Sequence, residues 1–201
     1  EFGLYYLIPY KGKTLGEISV QLGINNIIYE EDKKQNKDHV ATPRWVVENI
    51  YELINIKQFK NIWFPFNNYD SHFKLMADEL NLKYKATHIF DDLGNDFFST
   101  EPPSHCELLI SNPPFGQQNE IIKRTFELVE QHKIKSFCLL LPLSTLETEK
   151  RAEMWEKHID KISILIFKKR IKFLNCKTSF NTACCWICYD IPNLKQKIYW
   201  I

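Results

Sequence analysis

The run Ser136-Phe137-Cys138-Leu139-Leu140-Leu141 limits the fold of this chain more than any other stretch. It is too continuously apolar for a half-exposed strand, in which apolar and polar residues alternate, and too short for a helix. A strand covered on both sides fits it, and such strands belong to sheets with helices packed on each face. Asn61 to Phe64, Glu107 to Ile110, Ile162 to Phe167 and Asn181 to Tyr189 read the same way, and Tyr84 to Phe90 alternates as a further strand. Helical patterns fall between most of them. One opens at Thr42-Pro43, with Thr as cap, Pro at the first helical position, and Val46, Val47, Ile50, Leu53 and Ile54 on one face. Others run from about Ser71 to Leu82, from Glu120 to Gln131, and from a capping-box pattern at Ser144-Thr145-Leu146-Glu147 to about His158. At least six strands with interleaved helices predict an α/β domain.

At 201 residues and 44% apolar, the chain is long enough for one full core. No run approaches the roughly 18 apolar residues of a spanning helix, and no basic-then-apolar leader opens it, so a cytoplasmic, membrane-free protein is expected. Six cysteines are few for a disulfide scaffold and fall mostly in apolar runs, which predicts reduced core residues. Cys185-x-x-Cys188 has zinc-like spacing but lies in a strand pattern without a second ligand pair, so no metal is expected. A net charge of +1 argues against binding nucleic acid by bulk electrostatics. Lys168, Lys169, Arg170, Lys172 and Lys177 are nevertheless clustered, either as a solvated face or as phosphate contacts. Residues 1 to 40 are least legible: a strand candidate at Phe2 to Tyr10, a short helix at Thr14 to Ile24 without the recognition helix of a helix-turn-helix, and a charged loop at Glu30 to His39. They read as a small N-terminal subdomain or extension ahead of a domain over residues 41 to 201.

The run Glu107 to Ile110 ends in Ser111-Asn112-Pro113-Pro114-Phe115, and a helical pattern begins near Gln118. The pentapeptide thus stands at a strand's carboxyl end, where open α/β sheets place their ligands. Two prolines fix φ and remove two backbone donors. The Asn112 side chain and Pro113 carbonyl are left as acceptors with little freedom, beside the flat face of Phe115. A proline-rich turn with a core Phe would use the same residues.

Asn112-Pro113-Pro114-Phe115 resembles the catalytic loop of the S-adenosylmethionine-dependent amino-methyltransferases, above all the N6-adenine DNA methyltransferases of phage and mobile-element type. The resemblance implies a Rossmann-like class I methyltransferase fold, a seven-stranded, mostly parallel sheet with helices on both faces. It implies S-adenosyl-L-methionine as cofactor, DNA as substrate, and Asn112, Pro113, Pro114 and Phe115 as catalytic residues. An exocyclic adenine amine is a poor nucleophile, and acceptors drawing on its N–H bonds localise and aim the lone pair.

The same family uses a Thr-Pro helix start to hold the cofactor's carboxylate, which implies Thr42 here, and a loop after the first strand as cradle, which implies Pro65, Phe66 and Asn68. Phe64 stands where the family has an acid, and Asn68 and Asp70 where it has glycines, a departure that bears on cofactor affinity. At the second strand's end Asp91, with Asp92 as near rival, is placed for the ribose hydroxyls. Asp96 and Phe97 resemble the pair that takes the cofactor's adenine. Lys168, Lys169, Arg170, Lys172 and Phe180 resemble the segment that grips phosphates and borders the target base. No stretch is long enough for a target-recognition insert, so a specificity partner is a further expectation. RNA or protein-glutamine methylation on the same fold, and a binding subunit without activity, are the alternatives.

Overall fold

A computed structural model describes residues 41–67, 71–88, 95–174 and 182–201, all within the compact unit spanning residues 40 to 201. Its strands are β1 (Ile62–Pro65), β2 (Tyr84–Thr87), β3 (Cys106–Ser111), β4 (Ile134–Pro142), β5 (Ile162–Ile166), β6 (Cys184–Tyr189) and β7 (Ile198–Trp200). The α-helices among the described residues are α1 (Arg44–Leu53), α2 (His72–Glu79), α3 (Gln118–Glu130) and α4 (Glu149–Glu156). The strands form one sheet in the order β2-β1-β3-β4-β6-β5-β7. All run parallel except β6, which is antiparallel to both β4 and β5.

Period-two alternation divides each continuous apolar strand between two cores. Leu108, Ile110, Cys138, Leu140, Trp186 and Cys188 face α1 and α2, packing with Val46, Val47, Ile50, Phe73 and Met76. Leu109, Phe137, Leu139, Leu141, Cys185 and Ile187 face α3 and α4, packing with Ile121, Ile122, Phe126 and Trp155. A strand with neighbours on both sides has no solvent face, which is why its sequence shows no polar alternation. Burying one such large side chain contributes roughly 1.5–3 kcal/mol. Cys185 and Cys188 fall on opposite faces of β6, so this pair cannot close on one ion. Burial pushes the thiols of Cys106, Cys184 and Cys185 up to about 12, as expected of apolar core cysteines.

Two local expectations are corrected. Pro43, with extended ψ of 146°, rather than Thr42, stands at the cap of α1, and no side chain caps the helix. The capping box at Ser144 does not form: Leu143–Leu146 is a 3-10 turn, and α4 starts only after Thr148, at φ 85°. Within that turn the Thr145 hydroxyl donates to Gln118 Oε1 at 2.5 Å, and Trp155 Nε1–H donates to the Thr145 carbonyl at 3.2 Å. The seventh strand, β7, is a three-residue edge strand with Ile198 and Trp200 exposed, too short to show as a run in the sequence. Among the described residues no helix is long and apolar enough to cross a membrane.

The sheet order locates the site. From β1 the chain moves outward to β2, then returns across β1 to place β3 on its other side. Connections leaving the carboxyl ends of β1 and β3 therefore diverge and open a crevice between them, the switch point at which such sheets bind ligands.

Candidate active site at the switch point

Pro65 ends β1 and Ser111 ends β3, and a buried polar network joins them. Asn67 Nδ2 donates to the Pro65 carbonyl and to Ser111 Oγ, both at 2.8 Å. The Ser111 hydroxyl donates to the same Pro65 carbonyl, and the Ser71 hydroxyl to Asn67 Oδ1. Asn67 N–H donates to the Thr87 carbonyl of β2 at 3.1 Å, and Trp63 Nε1–H to the Thr87 hydroxyl at 3.0 Å. Three adjacent strand ends and the start of α2 are thus locked together. Asn67 and Ser111 are buried, where each bond is strong because any lost partner would leave a dry polar group. Sequence reasoning missed Asn67, Ser71 and Ser111 as site residues; their signal was small polar residues directly abutting the two strand ends.

Asn112 follows Ser111, so the network fixes the backbone from which the acceptor loop leaves. Asn112 is half-buried with its Oδ1 shielded from solvent, Pro113 is buried, and Pro114 and Phe115 are half-buried. A 3-10 turn, Phe115–Gln117, leads into α3. The Phe115 ring meets Phe173 edge to face, centroids 6.3 Å apart at 77°.

On the β1 side, Phe66 adopts φ 66°, a left-handed conformation that is uncommon for a bulky residue and costs on the order of 1–3 kcal/mol. Phe64, at the acidic position of the resembled loop, is fully buried against Tyr84 and Phe73. Phe97 is a core residue, stacked on Trp63 at 5.5 Å and touching Phe66 at 4.8 Å. Of the aromatic residues here, Phe66 is half-buried and Phe98 exposed. Asp96 Oδ1 accepts from Phe98 N–H at 3.2 Å, and its other oxygen takes no hydrogen bond from a described residue. Asn68, Asp91 and Phe180 lie outside the described residues.

Thr42 is buried at the entry to α1, and its carbonyl accepts from His72 Nδ1–H at 2.8 Å. Arg44 joins α1 to α2 through a two-pronged pair with Glu79 at 2.6 and 2.8 Å and also bonds Glu48 at 2.7 Å. These hydrogen bonds hold its guanidinium above the ordinary arginine value.

Lys168, Lys169, Arg170 and Lys172 are exposed, with Ile171 and Phe173 buried between and beyond them. None of the four makes an ion pair with a described residue. Leu174 N–H donates to the Ala41 carbonyl at 2.9 Å, so this segment passes the residue that precedes Thr42. Since β5 runs parallel to β1 and β3, the segment after it lies along the same carboxyl edge as Asn112.

No known family pattern and no curated protein sequence matches this chain. Among solved structures it is similar to a modification subunit of a candidate type I restriction enzyme from Vibrio vulnificus, with TM-score 0.54, 12% identity, and coverage of 90% of this chain and 51% of that one. The chain spans about half the length of that neighbour. It also matches a candidate class I S-adenosylmethionine-dependent methyltransferase from Listeria monocytogenes, with TM-score 0.49, 15% identity, and coverage of 98% and 75%. A third match is a candidate RNA methyltransferase from Pyrococcus horikoshii, with TM-score 0.47, 12% identity, and coverage of 86% and 95%. At these identities the likeness is one of fold, and the fold is the Rossmann-like methyltransferase sheet.

Proposed function

We propose that this chain is an S-adenosyl-L-methionine-dependent methyltransferase acting on the N6 amine of adenine in DNA. The observation that carries the reading is the position of Asn112-Pro113-Pro114-Phe115, leaving β3 at the switch point on a backbone held by Ser111 and Asn67. A neighbour with a TM-score of 0.54 is described as a modification subunit of a restriction enzyme, which favours DNA. Its greater length favours a partner protein or further chain as the source of sequence specificity.

The residues beside the crevice suit the cofactor's chemistry. Asp96 keeps a carboxylate oxygen for an adenine amine, Phe66 offers a flat apolar face, and Thr42 stands at a helix start, where free N–H groups favour a carboxylate. Asn68 and Asp91 complete the proposed cofactor contacts. Bound there, S-adenosylmethionine would supply an electrophilic methyl group on a positively charged sulfur, and the amine that takes it would release one N6 proton to solvent. Target adenine leaves its stack, at a cost of a few kcal/mol, and rests against Phe115, with Phe173 behind it. Asn112 Oδ1 and the Pro113 carbonyl accept the two N–H bonds and turn the lone pair toward the methyl. Because Asn112 Oδ1 is out of bulk water, an amine admitted to it meets little competition from solvent. The prolines keep the acceptors in place through the transfer, so little reorganisation accompanies the step.

The deciding experiment is transfer of labelled methyl groups to adenine-containing DNA, to RNA and to protein extract, with product nucleosides identified. N6-methyladenine in DNA is the expected product. Labelled RNA or glutamine instead would keep the fold and replace the substrate. Calorimetric titration showing no cofactor binding at millimolar concentration would make the chain a binding subunit.

A further inference from the structure

We propose that the groove between the first turn of α1 and residues 167–172 binds a single-stranded polynucleotide, with one base stacked on Trp45. This rests on the reading of the chain as a nucleic-acid methyltransferase and names the form of strand it holds beside the reacting base. The groove has a volume of about 730 Å³ and is lined by Trp45, Phe167, Lys168, Lys169, Arg170 and Lys172, with Ile201 at one side. That volume lies in the range of small-molecule sites, about 300–1,000 Å³, and accommodates a nucleotide.

Trp45 is 45% exposed although it sits one residue from the buried Val46. An indole this size normally turns its apolar area inward. Here Phe167 holds it in an edge contact, centroids 5.8 Å apart at 89°, which fixes the ring while leaving nearly half of it open. The surrounding charge has one sign. Lys168, Lys169, Arg170 and Lys172 make no ion pair with a described residue, whereas the nearby Arg44 is paired with Glu48 and Glu79. A fixed aromatic face within a strip of uncommitted cations is the combination that tracks an unpaired strand: the cations meet phosphates and the ring meets a base.

A duplex does not complete this arrangement, because both faces of every internal base are already covered. The groove's basic segment is also next in the chain to a contact of the proposed catalytic loop. From Lys172 the chain passes to Phe173, whose ring meets Phe115 with centroids 6.3 Å apart, so the cations that would hold the strand adjoin that loop. An anionic lipid surface would satisfy the cations, but it supplies no flat partner for the ring and has no reason to run toward that loop.

The test uses the full chain and a fluorescein-labelled oligothymidylate, which lacks adenine and therefore reports the groove without serving as methyl acceptor. Anisotropy titrations at fixed salt should show the oligothymidylate and an oligouridylate bound more tightly than a hairpin duplex of equal phosphate number. Trp45→Ala should weaken binding roughly five- to hundredfold, and Trp45→Phe should recover most of it. The salt dependence of binding should be unchanged in Trp45→Ala. It should flatten by about 0.7 log unit per lost contact in Lys168→Gln and in Arg170→Gln. Unchanged affinity in Trp45→Ala, a preference for the duplex, or displacement of the oligonucleotide by phosphatidylserine vesicles would overturn the proposal. Oligothymidylate bound through Trp45 without methyl transfer to any substrate would keep the groove and remove the enzymatic reading. Methyl transfer with an indifferent Trp45 would do the reverse.

Discussion

The carboxyl edge of this sheet holds two regions built on opposite physical terms. Around Pro65, Asn67 and Ser111, polar groups are buried and saturated with one another. From Lys168 to Lys172, charges stand in solvent and pair with none of the described carboxylates. The first kind of region fixes geometry, because displacing any member strands a dry polar group. The second supplies long-range attraction that salt screens within about 10 Å. Chemistry that depends on the position of one oxygen belongs with the first, and capture of a polyanion with the second. Phe115 and Phe173 are where the two touch.

The sharpest way to test this division is at Asn112. Asn112→Ala should lower single-turnover methyl transfer by about 10²–10³, or roughly 3–4 kcal/mol, with thermal stability, cofactor binding and oligothymidylate affinity close to those of the parent. Near-normal turnover would remove Asn112 from the mechanism and leave the edge without a chemical half.

Next in size is Asn67→Ala, which strands the partners of a buried amide. A stability loss of about 1–3 kcal/mol, seen as a melting temperature lower by several degrees, should accompany a fall in kcat, with the KM for nucleic acid little altered. A change in KM alone would mean that the buried network serves capture, and the contrast drawn above would fail.

The smallest effect lies at the junction. A double-mutant cycle of Phe115→Leu and Phe173→Leu should give a coupling of about 0.5–1.5 kcal/mol in transfer rate. Zero coupling would show two independent regions that merely share an edge.

Much of this architecture was legible because burial on both faces writes itself as uninterrupted apolar runs, as in Leu108 to Ile110 and Phe137 to Leu141. The proline pair was legible because it restricts conformation whatever surrounds it. Asn67 and Ser111 were not, since a small polar residue shows nothing in sequence of the partner it finds across two strands. Thr145 shows the same limit from the other side. It lies inside the pattern that favoured a cap at Ser144, but residues 143–146 form a 3-10 turn in which the Thr145 hydroxyl bonds Gln118 across the fold. Phe97, read by resemblance as a cofactor neighbour, is buried and stacked on Trp63, while Phe66 beside it is half-buried. The division of residues 1 to 40 from the remainder falls outside what the described residues address.

The reversed strand β6 has a consequence for how such a molecule can diversify. Parallel neighbours must be joined by a segment that travels back along the whole sheet, so their connectors are bound to the core. Between β5 and β6 the chain leaves and re-enters at the same end, and in the described part of that connection only Ile171 and Phe173 are buried. Recomposing its exposed positions, Lys168 to Arg170 and Lys172, would alter what the protein holds without asking the sheet to refold, which makes them the natural place for related chains to acquire different tastes.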